Sequence, residues 1–193
     1  MPKIIFRYGT MNSSKTANLL MIAHNFKSQN KNVFLIKPDC DTRFENDIIK
    51  SRALDTLFKA DLIMTKEISD INIYLEKYDN IQCILVDECQ FLSVDNINSF
   101  RKINLNIPII CYGLRTDYKT NLFEGSKRLL EIADEIEETK TICVNCSKKA
   151  IINAKYYIDK NTNNKCIIKE GTDDIELGYE DKYQSLCWNC WII

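Results

Sequence analysis

The run Ile4–Leu20, IIFRYGTMNSSKTANLL, limits what this chain can fold into more than any other stretch. Ile4, Ile5 and Phe6, followed by Arg7 and Tyr8, read as a short buried strand. Gly9-Thr10-Met11-Asn12-Ser13-Ser14-Lys15-Thr16 comes next, and then an apolar segment that suits a helix. Strand, glycine-led turn and helix in that order is the setting of the phosphate loop G-x-x-x-x-G-K-[ST]. In such a loop backbone N–H groups and a helix N-terminus face phosphate oxygens, the lysine meets the outer phosphates, and the hydroxyl takes a place on Mg2+. Gly9, Thr10, Met11, Asn12, Ser13, Ser14, Lys15 and Thr16 are therefore candidate residues for binding ATP with Mg2+. One letter departs from the motif: Ser14 stands where the second glycine belongs, a position that favours tolerance of positive φ and close backbone approach. Without phosphate chemistry, the same residues are a Ser/Asn-rich turn that caps a helix.

The rest of the chain alternates strands with helices. Thr16 to Lys27 reads as a helix with Ala17, Leu20, Met21 and His24 on related faces, and His24, the only histidine, takes a structural or solvent role. Val33 to Ile36 is a second buried strand, and Asp39 to Arg52 is polar and loop-like. Leu62-Ile63-Met64 makes a short strand, and Ile71, Tyr74, Leu75 and Tyr78 fall at helical spacing with Ser69 as cap. Ile81 to Val86 is the next strand and ends in Asp87-Glu88; Val94, Ile97 and Phe100 mark a short helix. Ile107 to Tyr112 is a further strand closed by Gly113, and Arg128 to Ile136 is helical. This alternation predicts an α/β fold, a P-loop NTPase-like parallel sheet flanked by helices. Ligands of such sheets sit at the carboxyl ends of the strands, where the phosphate loop, Asp41-Thr42-Arg43, Asp87-Glu88 and the stretch after Gly113 all fall.

Near residue 140 the chain changes character, which sets a boundary between a nucleotide-binding domain, 1–139, and a small zinc-binding domain, 140–193. Cys143-x-x-Cys146 and Cys187-x-x-Cys190 have the spacing of two knuckles closing one tetrahedral four-thiolate zinc site, with no open position for catalysis. Between them, Ala150 to Ile158 and Cys166 to Lys169 flank the turn-forming Asn161 to Asn164. The segment Gly171 to Gln184 reads either as a loop held over a ligand, with Tyr179 and Tyr183 near a base, or as an acidic surface loop. Cys40, Cys83, Cys89, Cys111 and Cys166 have no ligand spacing and default to small buried hydrophobes.

Asp87 follows an apolar strand, where a nucleotide-binding fold places its magnesium carboxylate, and Glu88 projects differently and can take a proton from an attacking hydroxyl. The alternative is a pair of solvated turn acids. Composition narrows the partners: a net charge of −1 gives no electrostatic footprint for nucleic acid or an anionic membrane. No run approaches the length of a membrane span and MPKIIFRYG lacks a signal-peptide layout, so a cytoplasmic protein is expected and the nine cysteines read as metal ligands or free thiols.

With these motifs in place the chain resembles the thymidine kinases of the zinc-containing, tetrameric type found in bacteria, animals and large DNA viruses. The resemblance runs from Lys3 to Cys190. It rests on Gly-x-Met-x-Ser-x-Lys-Thr, Asp41-Thr42-Arg43, Asp87-Glu88-x-Gln90-Phe91, Gly113-Leu114-Arg115-Thr116-Asp117, and Asp181-Lys182-Tyr183 leading into Cys187-x-x-Cys190. It implies transfer of the γ-phosphoryl group of ATP to the 5′-hydroxyl of thymidine or deoxyuridine, in nucleotide salvage for DNA synthesis. Under it Lys15 and the Gly9–Thr16 backbone hold the donor phosphates, Thr16 and Asp87 organise Mg2+, Glu88 is the general base, and Arg43 stabilises the transferring group. Gln90 lies near the nucleotide, and Met11, Phe91 and Phe123 supply apolar substrate contacts. Tyr183 belongs to a lasso, with Ile175 and Leu177, that binds the thymine largely through main-chain groups. The zinc site maps onto Cys143, Cys146, Cys187 and Cys190. Feedback inhibition by dTTP and a homotetramer are also implied. Two other readings stay open: a catalytically weakened nucleotide-binding regulator, for which Ser14 speaks, and a zinc-ribbon ATPase dependent on nucleic acid. Against the last stand the acids Asp173, Asp174, Glu176, Glu180 and Asp181 of the zinc region.

Overall fold

The computed structural model describes residues 1–41, 47–51, 53–171 and 182–193. In chain order β1 (Lys3–Tyr8) leads into α1 (Lys15–Ser28) and β2 (Asn32–Pro38). A hairpin of β3 (Ile48–Lys50) and β4 (Leu57–Lys59) follows, then β5 (Leu62–Met64), α2 (Asn72–Leu75) and β6 (Ile81–Val86). A 3-10 turn, Cys89–Phe91, precedes α3 (Val94–Arg101), β7 (Pro108–Gly113), α4 (Glu124–Ile132) and β8 (Glu135–Glu138). Last come β9 (Ile152–Ile158), β10 (Lys165–Ile168), β11 (Tyr183–Leu186) and α5 (Trp188–Ile192).

Six strands form one sheet in the order β5-β2-β6-β7-β1-β8, and every pairing in it is parallel. The period-2 alternation of side chains explains why its strands are apolar almost throughout: both faces are covered. Ile4, Phe6, Phe34, Ile36, Ile84 and Val86 face one layer, with Ile97 and Phe100 of α3 and Leu129 of α4. Ile5, Val33, Leu35, Cys83 and Leu85 face the other, against Leu19, Leu20 and Ala23 of α1. The sequence Ser93-x-x-Asn96 closes a reciprocal capping box that starts α3. A second, three-stranded sheet, β10-β9-β11, is antiparallel and C-terminal. The fold is α/β with this small sheet appended. Among the described residues no helix is long and apolar enough to cross a membrane.

Several local expectations change. Ile48–Lys50, expected in a polar loop, pairs with Leu57–Lys59, and Ile49 is buried against the α1 layer. The helix expected through Ile136 stops at Ile132, and Glu135–Glu138 instead adds a parallel edge strand beside β1. Its alternate acids are paired, Glu135 with Lys3 and Glu137 with Arg7, which makes the edge polar. The first amide of α2, that of Asn72, donates to Asp70 and not to Ser69. On α1, Ala17, Leu19, Leu20 and Ala23 are buried, whereas Met21 and His24 are exposed. Cys83, Cys89 and Cys111 are buried as expected, but Cys40 and Cys166 are half-buried.

Candidate active site

The phosphate loop is anchored at both neighbours of β1. Gly9 N–H donates to Gly113 O on β7 at 3.2 Å, and Thr139 N–H, just beyond β8, donates to Tyr8 O at 2.7 Å. A Cβ on Gly9 would run into Ser13 and the carbonyl of Thr139, so the tight start of the loop requires glycine. Ser14 occupies the N-cap of α1 at φ 61° and ψ 25°, a left-handed conformation, and its carbonyl accepts the first helical bond from Asn18 N–H at 2.9 Å. The serine therefore keeps the backbone shape that the motif's glycine supplies, at a conformational cost of about 1–2 kcal/mol. Lys15 is buried and its ammonium donates to Thr10 O at 2.7 Å, curling back over the loop.

The two acids point apart, and the cause is a left-handed backbone at Glu88 rather than strand alternation. Asp87 directly follows β6, and Thr16 Oγ1 lies 3.2 Å from each of its carboxylate oxygens. That hydroxyl and carboxylate are the donor set a hard, oxygen-loving Mg2+ uses beside phosphates. Glu88 turns away: its backbone is left-handed at φ 48° and ψ 38°, and its Oε2 accepts from Gln90 Nε2 at 2.6 Å. Gln90 is itself fixed, because its Oε1 accepts from Leu114 N–H at 2.9 Å. A Cβ on Gly113 would come within 2.7 Å of both Cys89 Sγ and Gln90 Oε1, so this brace needs the bare backbone there. Strain at Glu88 of about 1–3 kcal/mol is typical of residues held for function.

Burial first, then the charges of Asp39, Asp41 and Glu88, push the Cys40 thiol upward. Burial pushes the thiol of Cys89 well above its ordinary value, with Lys15 acting in the opposite sense from across the site. Lys37, fully buried, reaches Asp41 at 3.3 Å and Ile48 O at 3.1 Å, tying the β3–β4 hairpin to the start of that loop. Phe91 and Phe123 form an edge-on pair with ring centroids 5.7 Å apart. Arg43, Ile175 and Leu177, with Tyr179 and most of the expected lasso, lie outside the described residues. Tyr183 heads β11, half-buried, opposite Lys155.

Cys143, Cys146, Cys187 and Cys190 come together, their sulfurs all within 4.8 Å of one another. Cys146 Sγ lies 3.6 Å from Cys187 Sγ and 3.7 Å from Cys190 Sγ, far longer than a disulfide bond. A tetrahedron with metal–sulfur bonds of about 2.3 Å has edges of about 3.8 Å, so the residues fit zinc. Burial alone would raise Cys143, but the backbone N–H groups of Cys187, Asn145 and Cys146 outweigh it and hold the thiol down at about 6. Hydrogen bonding with the neighbouring sulfurs of Cys187 and Cys146 pushes the Cys190 thiol up to about 12.

Two residues absent from the sequence reading join the lobes. Met11 N–H donates to Asn153 Oδ1 at 2.7 Å, and Ser185 Oγ donates to Met11 O at 2.7 Å. Alternation of Asn153 and Lys155 with apolar Ile152 and Ala154 was the one available signal of a polar inner face.

The thymidine kinase family model matches residues 2–191. A thymidine kinase of Streptococcus agalactiae serotype Ia is 37% identical over 190 residues, covering 97% of this chain and 95% of that protein. One from Enterococcus faecalis is 38% identical over 189 residues, 97% of this chain and 93% of its own length. One from Streptococcus pyogenes serotype M6 is 36% identical over 189 residues, 97% and 95% respectively. With a strand-anchored phosphate loop, an acidic pair beside it and a match of this extent, the chain belongs to the thymidine kinase family.

Proposed function

We propose that the protein transfers the γ-phosphoryl group of ATP to the 5′-hydroxyl of thymidine, and of deoxyuridine, as a cytoplasmic step of nucleotide salvage for DNA synthesis. One observation carries the assignment of roles: Thr16 meets Asp87 at 3.2 Å while the next residue, Glu88, is held apart by Gln90 at 2.6 Å. Adjacent acids thus have separate tasks, one for the metal and one for the acceptor. The Gly9–Thr16 backbone and Lys15 bind the donor phosphates, and Thr16 and Asp87 hold Mg2+. Glu88 takes the proton of the 5′-hydroxyl as it attacks, with Gln90 fixing the carboxylate's direction. Arg43 neutralises charge on the group in flight. Met11, Phe91 and Phe123 line the acceptor side, with Ile175, Leu177 and Tyr183 closing over the base. Phosphoryl transfer needs little covalent help, so positioning and charge neutralisation suffice.

Residues 140–193 serve as a zinc-bound domain beside the nucleotide-binding domain 1–139, with Cys143, Cys146, Cys187 and Cys190 holding the metal. dTTP acts as feedback inhibitor, since its nucleoside and triphosphate span acceptor and donor sites, and the working form is a homotetramer. The test is phosphorylation of a nucleoside panel with Mg-ATP, alongside zinc quantification and dTTP titration. Glu88→Gln lowers kcat by roughly 10²–10⁴-fold while Mg-ATP still binds. ATP hydrolysis stimulated by DNA, with no nucleoside phosphorylated, would overturn the assignment.

A further inference from the structure

The C-terminal antiparallel sheet has two unlike faces. Ile152, Ala154 and Leu186 turn toward Cys143 and Cys187 and form a small apolar core. The opposite face of the same strands carries Asn153 and Ser185, which are direct cross-strand partners and only 4% and 2% exposed. Buried polar groups are retained where they have a partner, and these two share one: the backbone of Met11, the third residue of the phosphate loop. Asn153 takes its N–H and Ser185 gives to its C=O, both at 2.7 Å. Asn153 has a second tie, from Nδ2 to Thr116 O at 3.3 Å, which fixes its amide orientation. The chain then runs from Ser185 straight into Cys187, and Val144 N–H, beside Cys143, donates to Ser185 O at 3.0 Å.

We propose that Asn153 and Ser185 are positioning residues for the phosphoryl donor: they hang the backbone of Met11, by the peptide groups on both its sides, from the sheet that the four cysteines close. The cysteine-bearing lobe is thereby part of the donor site's framework. This rests on Gly9–Thr16 being that donor site. A loop whose N–H groups must converge on phosphate oxygens gains from having its backbone fixed at Met11 before the nucleotide arrives. Two hydrogen bonds to the backbone of one residue, on the peptide groups either side of its Cα, hold it together, so their deletions are not additive.

The sequence contains two tryptophans, Trp188 and Trp191, both in α5 directly after Ser185-Leu186-Cys187 and with ring centroids 5.2 Å apart. Their fluorescence reports on the lobe when the loop is loaded. The experiment titrates the zinc-loaded protein with Mg-AMPPNP, following tryptophan fluorescence and, separately, heat of binding, with zinc content and thermal midpoint measured for each variant. Ser185→Ala and Asn153→Ala are each expected to weaken the analogue about tenfold and to abolish the fluorescence response. The double variant is expected to lose little more than the worse single one. Ser185→Thr, which keeps the hydroxyl, is expected to restore both signals. Analogue affinity within twofold of the parent in both alanine variants overturns the proposal, as does Ser185→Thr behaving like Ser185→Ala. Because the analogue is bound and not turned over, failure to phosphorylate nucleosides sinks the kinase reading alone. A parent protein that binds no Mg-AMPPNP sinks both.

Discussion

The two sheets solve the same problem by different means. The six-stranded parallel sheet has helices on both faces and fills two apolar layers, with Phe6, Phe34, Phe100 and Leu20 fully buried. The three-stranded sheet turns only three fully buried apolar residues, Ile152, Ala154 and Leu186, toward the buried cysteines Cys143 and Cys187. A core that small supplies too little burial to order its own chain, and small units of this kind depend on a metal or a disulfide. The larger sheet stands by packing; the smaller one stands by its four cysteines and by leaning on the phosphate loop. The lesson is that the second sheet's polar face is free to hold another segment because its apolar face is already committed to the cysteines.

The largest effect that would break this contrast comes from the proposed zinc site. Replacing Cys143 and Cys187 together by serine removes zinc binding of the order of 10–16 kcal/mol in apparent terms. The expected result is rapid proteolysis beyond Glu138, while the main thermal transition of the parallel sheet persists. Loss of both together would mean that the sheets are one cooperative unit. Next in size is the reverse experiment: Phe100→Ala in the larger core costs about 3–5 kcal/mol, read from the denaturant midpoint, with zinc content unchanged. Smallest is Ser14→Gly, which sharpens the comparison at the loop between the sheets. Removing a left-handed non-glycine residue is expected to add up to about 1 kcal/mol of stability and to tighten Mg-ATP. An unchanged denaturant midpoint would mean that the serine is accommodated without strain.

How much of this was legible in the sequence follows the same divide. The strands of the larger sheet announced themselves as continuous apolar runs, as Val33 to Ile36 and Ile81 to Val86 did, because burial on both faces leaves no room for polar residues. Edge strand Glu135–Glu138 was hidden, since Ile132 and Ile136 fall at helical spacing and its acids carry no strand signal. The β3–β4 hairpin was hidden by short strands among charged residues. At the candidate site, Lys15-Thr16 and Asp87-Glu88 could be named from the sequence because each pair belongs to a short local motif tied to chemistry. Asn153 and Ser185 were not, because what makes them matter is a peptide 142 and 174 residues away. The motif pointed to positive φ at Ser14 through the glycine it replaces, whereas no sequence pattern announces that Glu88 sits there, since that residue type ordinarily avoids it.

Glu88 has a consequence for anyone who wishes to harden this protein against heat. Its left-handed backbone asks for glycine, and an exchange there would relax the chain. The same exchange would delete the carboxylate that Gln90 aims. With Glu88 in the proposed role of general base, turnover and heat tolerance pull in opposite directions at this one codon, and an engineer guided by melting temperature alone would be drawn to it.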